Sequence, residues 1–179
     1  MAAPEKIRAL KLLIGDLEQR PPRECWSCVT LAGGLPKGVI TELTGPHKTE
    51  WLLTVMKENP EVRIFWAEKN QSVLPTAFAH RGVDLARVTF GLLGEDPTIS
   101  LRRILQSQLY PKIVAHSVFT EMRVLKAFQM LTEKSHGNLF LLAAKEVSTA
   151  WPISLQLSIE KREDDFDVEV LRDKTGLNK

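Results

Sequence analysis

No run of apolar residues approaches the roughly 20 needed to cross a bilayer, and the first residues, which include Glu5, Lys6 and Arg8, lack the apolar core of a secretory leader. Neither a membrane span nor a signal peptide is therefore expected, and the sequence reads as cytoplasmic. Charge of one sign is also scarce: 24 basic against 22 acidic side chains leave +2, too little for a chain-wide electrostatic footprint on nucleic acid, although a local basic face stays open. There is no internal repeat and no low-complexity segment. What is present is ordinary for a folded domain, with 44% hydrophobic and 26% charged residues, well away from disordered or fibrous compositions. With 179 residues the chain is long enough to bury one sizeable core, since a domain near this size hides roughly 70% of its unfolded surface.

Cysteine is nearly absent, and its two copies fall together as Cys25-Trp26-Ser27-Cys28. A C-x-x-C pair suggests redox chemistry or half a zinc site. A redox pair opens a helix, whose dipole stabilises the thiolate, but this pair runs into Val29-Thr30-Leu31-Ala32-Gly33-Gly34, which is no helix start. Zinc needs about four ligands, and His47, His80, His116 and His136 stand singly. Two reduced, partly buried thiols and no metal are expected.

The hydrophobic pattern alternates between two periods. Ile7, Leu10, Leu13, Ile14 and Leu17 fall at three-and-four spacing and predict an amphipathic N-terminal helix, ended by Pro21-Pro22. Residues 1–22 thus form a helix and linker, and 23–179 a core domain. Within the core, strands are expected at Val39 to Leu43, Arg63 to Ala67, Val88 to Phe90, Lys112 to Ala115 and Leu139 to Ala143. Helices are expected between them at about Lys48 to Lys57, Leu74 to Arg81, Thr98 to Gln108 and Thr120 to Ser135. The last helix closes at His136-Gly137, where glycine suits the left-handed position. Short apolar strands separated by helices argue for a mostly parallel sheet buried on both faces, so the class is α/β. Ser154 to Glu160 and Phe166 to Leu171 alternate instead and predict an antiparallel hairpin at a sheet edge.

In such a sheet ligands sit beyond the carboxyl ends of the strands. After the first core strand stands Gly45-Pro46-His47-Lys48-Thr49-Glu50, where a phosphate-binding loop would be. A working G-x-x-x-x-G-K-[ST] loop needs chain enough to wrap its N–H groups around phosphates, and a glycine before the lysine. Here Gly45 and Lys48 are three apart and His47 precedes the lysine, a turn too short to cradle a triphosphate.

The stretch Leu31-Ala32-Gly33-Gly34-Leu35-Pro36-Lys37-Gly38-Val39-Ile40-Thr41-Glu42-Leu43-Thr44-Gly45-Pro46 closely resembles the RecA-family segment leading into the phosphate loop. Beyond it the resemblance rests on element order and a few residues. It implies a RecA-like, P-loop NTPase-type core with altered site positions. Glu68, after Phe65-Trp66-Ala67, matches the family's water-activating glutamate. His116 occupies the place of a magnesium-binding aspartate, and imidazole is a poor magnesium ligand. Lys145 replaces a nucleotide-sensing glutamine. Taken together, a short loop, no metal aspartate and a changed sensor remove most of what phosphoryl transfer needs. The resemblance therefore implies no ATP hydrolysis, no nucleotide cofactor, Glu68 as a vestige, and Gly45, Pro46, His47, Lys48 and Thr49 as vestigial loop positions.

Little chain is left for the family's two DNA-binding loops, and the segment ends soon after the hairpin, so strand exchange is not expected and DNA binding is expected weak or absent. Basic residues at Arg102-Arg103, Lys161-Arg162, Arg172, Lys174 and Lys179 read as solvated faces. A core of this kind is similar to the shortened RecA relatives ImuA and SulA of the bacterial DNA-damage (SOS) response, and Arg81-Gly82-Val83-Asp84-Leu85-Ala86-Arg87-Val88 resembles a segment of both. The first implies an accessory of a translesion polymerase complex whose partners include RecA or the polymerase-like protein. The second implies a division inhibitor that binds FtsZ. A third reading keeps weak ATP binding. The ImuA-like reading is favoured, because the N-terminal helix and linker resemble the docking element of recombinase subunits, which makes Ile7, Leu10, Ile14 and Leu17 the partner-binding candidates.

Overall fold

A computed structural model describes residues 24–70, 72–116, 118–144, 148–163 and 165–178. The expected N-terminal helix, with Ile7, Leu10, Ile14 and Leu17, and Lys145, expected at an altered sensor position, lie outside the described residues.

Two two-residue strands, β1 (Cys25–Trp26) and β2 (Leu35–Pro36), pair antiparallel with each other. The main sheet holds seven strands: β3 (Val39–Thr44), β4 (Ile64–Glu68), β5 (Val88–Leu92), β6 (Lys112–His116), β7 (Asn138–Leu142), β8 (Ile153–Arg162) and β9 (Asp165–Asp173). Their order is β5-β4-β6-β7-β3-β8-β9, parallel throughout except for the antiparallel β8–β9 hairpin at one edge. Among the described residues four α-helices complete the layers: α1 (Lys48–Glu58), α2 (Pro75–His80), α3 (Pro97–Ser107) and α4 (Met122–Ser135). The α/β class, the mostly parallel sheet and the terminal hairpin are those expected from the sequence, with element ends moved by one or two residues.

The direction in which the chain crosses the sheet explains where each helix lies. From β3 it moves by α1 to β4 and by α2 to the edge strand β5, then returns by α3 to β6 and by α4 to β7. Parallel crossovers are right-handed, so reversing direction moves the helices to the opposite face. Accordingly Trp51, Leu52, Met56 and Phe78 of α1 and α2 pack with Leu43, Trp66, Val114 and Phe140. Leu101, Leu105, Leu125 and Phe128 of α3 and α4 pack with Ile40, Ile113, Leu139 and Leu141 on the other side. Alternate residues of one strand serve opposite cores, which is why β3 and β7 are buried at every position. Phe78 meets Trp66 and Phe90 edge-on, each at 5.0 Å, a geometry worth about 0.5–1.5 kcal/mol per pair beyond area burial.

Local chemistry sets the ends. Asp96 caps α3 by accepting from the Ile99 amide at 3.0 Å, with Pro97 in the first turn. One expectation is corrected at the end of α4: His136, not Gly137, takes the left-handed conformation, with φ 51°. Gly137 is required for space, because a Cβ there would lie 2.8 Å from the Pro111 carbonyl oxygen.

Candidate functional site

At the end of β3 the chain turns through Gly45 at φ +87°. A Cβ there would lie 2.2 Å from the Ile159 carbonyl oxygen, so β8 backs directly onto the turn and only glycine fits. Helix α1 begins at Lys48, the Trp51 amide donating to the His47 carbonyl at 2.9 Å. His47 gives no side-chain cap, and its Nδ1 is buried without a hydrogen-bond partner. The Lys48 ammonium folds back and donates to the Gly45 carbonyl at 3.0 Å. Pro46 is exposed and Thr49 half-buried. Gly45, Pro46, His47, Lys48 and Thr49 are thus gathered in one tight turn closed on itself.

Glu68 ends β4 and is buried. Its Oε1 accepts from Trp66 Nε1 at 3.1 Å, and its Oε2 accepts from the amides of Ser72 at 2.7 Å and Val73 at 3.3 Å. The carboxylate pins the loop that leads into α2. His116, at the end of β6, is exposed. The β4–β6 ladder ends at Trp66 and Val114, and the chains leave β4 and β6 toward opposite faces of the sheet. Such a divergence opens a crevice. Two adjoining clefts of about 270 and 310 Å³ lie there and share Lys69, His116 and Val118. His116 and Lys69 thus line both clefts, while the Glu68 carboxylate holds its own loop.

Other polar side chains near the carboxyl edge are also engaged with the chain itself. Buried Glu42 accepts from the Ser148 amide at 2.8 Å and from Gln156 Nε2 at 2.6 Å. Among the described residues no group of three His, Cys, Asp or Glu side chains could hold a metal. Cys28 is buried, its Sγ lies 3.4 Å from Thr30 Oγ1, and burial pushes its thiol above the ordinary range, opposite to what a reactive thiolate needs.

Two features escaped the sequence reading. The first is the β5 edge. Among the described residues β5 pairs only with β4, and it carries no charged residue in Val88-Thr89-Phe90-Gly91-Leu92. Beside it lies a groove of about 370 Å³ walled mainly by Val73, Leu74, Phe90 and Leu92 and bordered by Glu68, with Leu74 70% and Leu92 58% exposed. The opposite edge strand, β9, presents Asp165, Asp167, Glu169 and Asp173. Charges of that kind block edge pairing, and the β5 edge has none of them. A charge-free apolar strand was visible in the sequence, but its place at an edge depends on the topology.

The second feature lies at the amino-terminal edge of the sheet. Trp26 Nε1 donates to Asn138 Oδ1 at 2.8 Å, and Asn138 Nδ2 donates to the Pro36 carbonyl at 2.9 Å, fastening the β1–β2 pair to β7. Lys37 and Lys112 lie 4.3 and 5.0 Å from the Trp26 ring centre. Arg87 donates to the carbonyls of Met56, Asn59 and Val62, satisfying the end of α1 and the turn after it. No helix among the described residues is long and apolar enough to cross a membrane. No protein-family model matches the chain, and no curated protein matches it.

Proposed function

We propose that this chain is a catalytically inactive RecA-like protein that serves as a protein-interaction accessory, of the ImuA type, in the bacterial DNA-damage response. The observation that carries the reading is the closed turn at Gly45 to Lys48. A triphosphate needs backbone N–H groups wrapped around it and a lysine reaching its phosphates. This turn has three residue steps from glycine to lysine, and the lysine donates to the turn's own carbonyl. Glu68 points the same way, since a carboxylate holding two loop amides and an indole is not placed to activate water. The resemblance over 31–46 supplies the RecA-like part of the proposal, and the charge-free β5 edge with its apolar groove is the kind of surface a docking protein offers.

Binding of the purified protein to RecA and to FtsZ of the same organism, by surface sensor at physiological salt, tests this function. RecA binding that is lost in Leu10→Asp with an unchanged melting transition is the expected result. FtsZ binding without RecA binding would replace the reading with the division-inhibitor one. Millimolar MgATP is expected to leave the melting temperature unchanged. A site filled at a hundredfold excess over its Kd would add about 2.7 kcal/mol, which no melting assay would miss.

A further inference from the structure

Between β7 and β8 the chain turns one tryptophan outward. Ala150 and Pro152 are buried on either side of Trp151, which is 48% exposed. Rigid contacts hold this turn from three elements. Glu42 accepts from the Ser148 amide, Gln156 donates to the Ser148 carbonyl at 2.6 Å, and Arg172 donates to the carbonyls of Ser148 and Ala150 at 3.2 and 3.0 Å. Lys174 donates to the Trp151 carbonyl. The indole is therefore presented by a fixed backbone, which lowers the ordering cost of using it as an anchor.

Around it the surface alternates apolar and basic. Lys126 and Lys174 place their ammonium groups 5.7 and 6.0 Å from the indole centre. Lys126 belongs to the row Met122, Lys126, Met130, Lys134, spaced by four along α4 and so aligned on one helix face. All four are exposed, Met122 by 43% and Met130 by 63%, while Leu125, Phe128 and Thr132 bury the opposite face. Exposed tryptophan and methionine are enriched where proteins meet proteins, and tryptophan is the residue most often decisive there.

The geometry points to a docking surface, formed by Trp151 and the Met122–Lys126–Met130–Lys134 row, for an acidic segment of a protein partner that carries a bulky apolar side chain between its carboxylates. Charge complementarity selects this occupant. Lys126 and Lys174 flank the indole and Lys134 continues the exposed row, so carboxylates would meet these cations while an apolar side chain covers the ring. Single-stranded nucleic acid could also stack on a tryptophan flanked by lysines, but two exposed methionines in the same row match a side chain better than a sugar-phosphate backbone. The inference is independent of the RecA-like reading and goes beyond it, because it concerns residues that reading leaves unused.

The test uses the full chain and three fluorescein-labelled probes: a twelve-residue peptide of glutamates around a central Leu-Phe pair, the same peptide with glutamines, and a twelve-nucleotide oligo-dT. Anisotropy at 150 mM salt is expected to show the acidic peptide binding at least tenfold more tightly than the glutamine peptide and the oligonucleotide. Trp151→Ala and Lys126→Glu should each weaken it at least fivefold. Lys126 is exposed, so its substitution leaves folding intact, and the melting transition of each variant checks this. Equal binding of the two peptides, tighter binding of the oligonucleotide, or variants that bind like the parent would each overturn the proposal.

Discussion

Lys112 is fully buried in β6, its Nζ makes no hydrogen bond, and it lies under the Trp26 ring. Burial, helped by the charge of Arg87, lowers its pKa from 10.5 to about 7, against the weaker opposite pull of Glu61, Cys28 and Glu58. In the unfolded chain the amine stays protonated up to about 10.5, so between the two values the unfolded state binds more protons and stability rises with pH. Below pH 7 both states are charged and the full cost of burying the cation, about 5 kcal/mol for a shift of this size, is in force. From pH 7 to 8.5 the native amine sheds most of its proton, and stability should rise by about 1.5 kcal/mol, or roughly 3–6 °C in Tm for a domain of this size. Above that range the raised thiol of Cys28 works in the opposite direction, so the measurement stops there. Lys112→Met keeps the apolar stem against Trp26 and removes the amine. Urea unfolding of both proteins at pH 7, 7.75 and 8.5 should show a rising profile for the parent. The variant should give a flat profile, lie above the parent at pH 7, and give up about 1.5 kcal/mol, roughly a third, of that lead by pH 8.5. Parallel profiles in the two proteins would refute the argument.

Two further substitutions probe the carboxyl edge. Gly45→Ala forces a Cβ against the Ile159 carbonyl at a positive φ and should cost about 3–5 kcal/mol in urea unfolding; a loss below about 1 kcal/mol would show that β8 does not back the turn. Glu68→Ala strands the Trp66 indole N–H and two amides and should cost about 2–4 kcal/mol, with Glu68→Gln costing less, and hydrogen exchange at Ser72 and Val73 should accelerate in the alanine variant; unchanged exchange there would remove the clamp role.

The sequence exposes those parts of the fold that are written in local pattern. The β-branched runs of β3 and β6 and the three-and-four spacing of α3 and α4 each carry their own signal, so class, order and approximate bounds are legible. β1 and β2 have two residues each and no period. They exist because Trp26 and Asn138, 112 positions apart, hydrogen-bond across the fold. The same limit governs the site. Position 68 is readable as a strand-end glutamate, but whether its carboxylate faces a crevice or its own loop depends on where the Ser72 and Val73 amides fall. Lys112 reads as a polar start to a strand, and only the packing of the β1–β2 pair above it reveals a buried amine. Lysine in a window of apolar strand residues is the signal that could have raised the question.

At the ends of the strands the polar groups are largely occupied by their own chain. Lys48 holds the Gly45 carbonyl, Glu68 holds the 72–73 amides, Glu42 holds Ser148, and Arg172 holds the carbonyls of Ser148 and Ala150. A site shaped for phosphates leaves donors free until a ligand arrives, and such a protein gains stability on binding. Here a nucleotide would first have to displace internal hydrogen bonds and then leave Gly45 and its neighbours unsatisfied, so each contact it gained would be offset by one lost. Among the described residues His47 Nδ1, like Arg172 Nε, is buried with no partner. One imidazole nitrogen cannot replace a loop of N–H donors. Internal hydrogen bonding of the same kind holds the turn around Trp151, where Glu42 and Gln156 fix Ser148 and an exposed indole is kept in place for a partner.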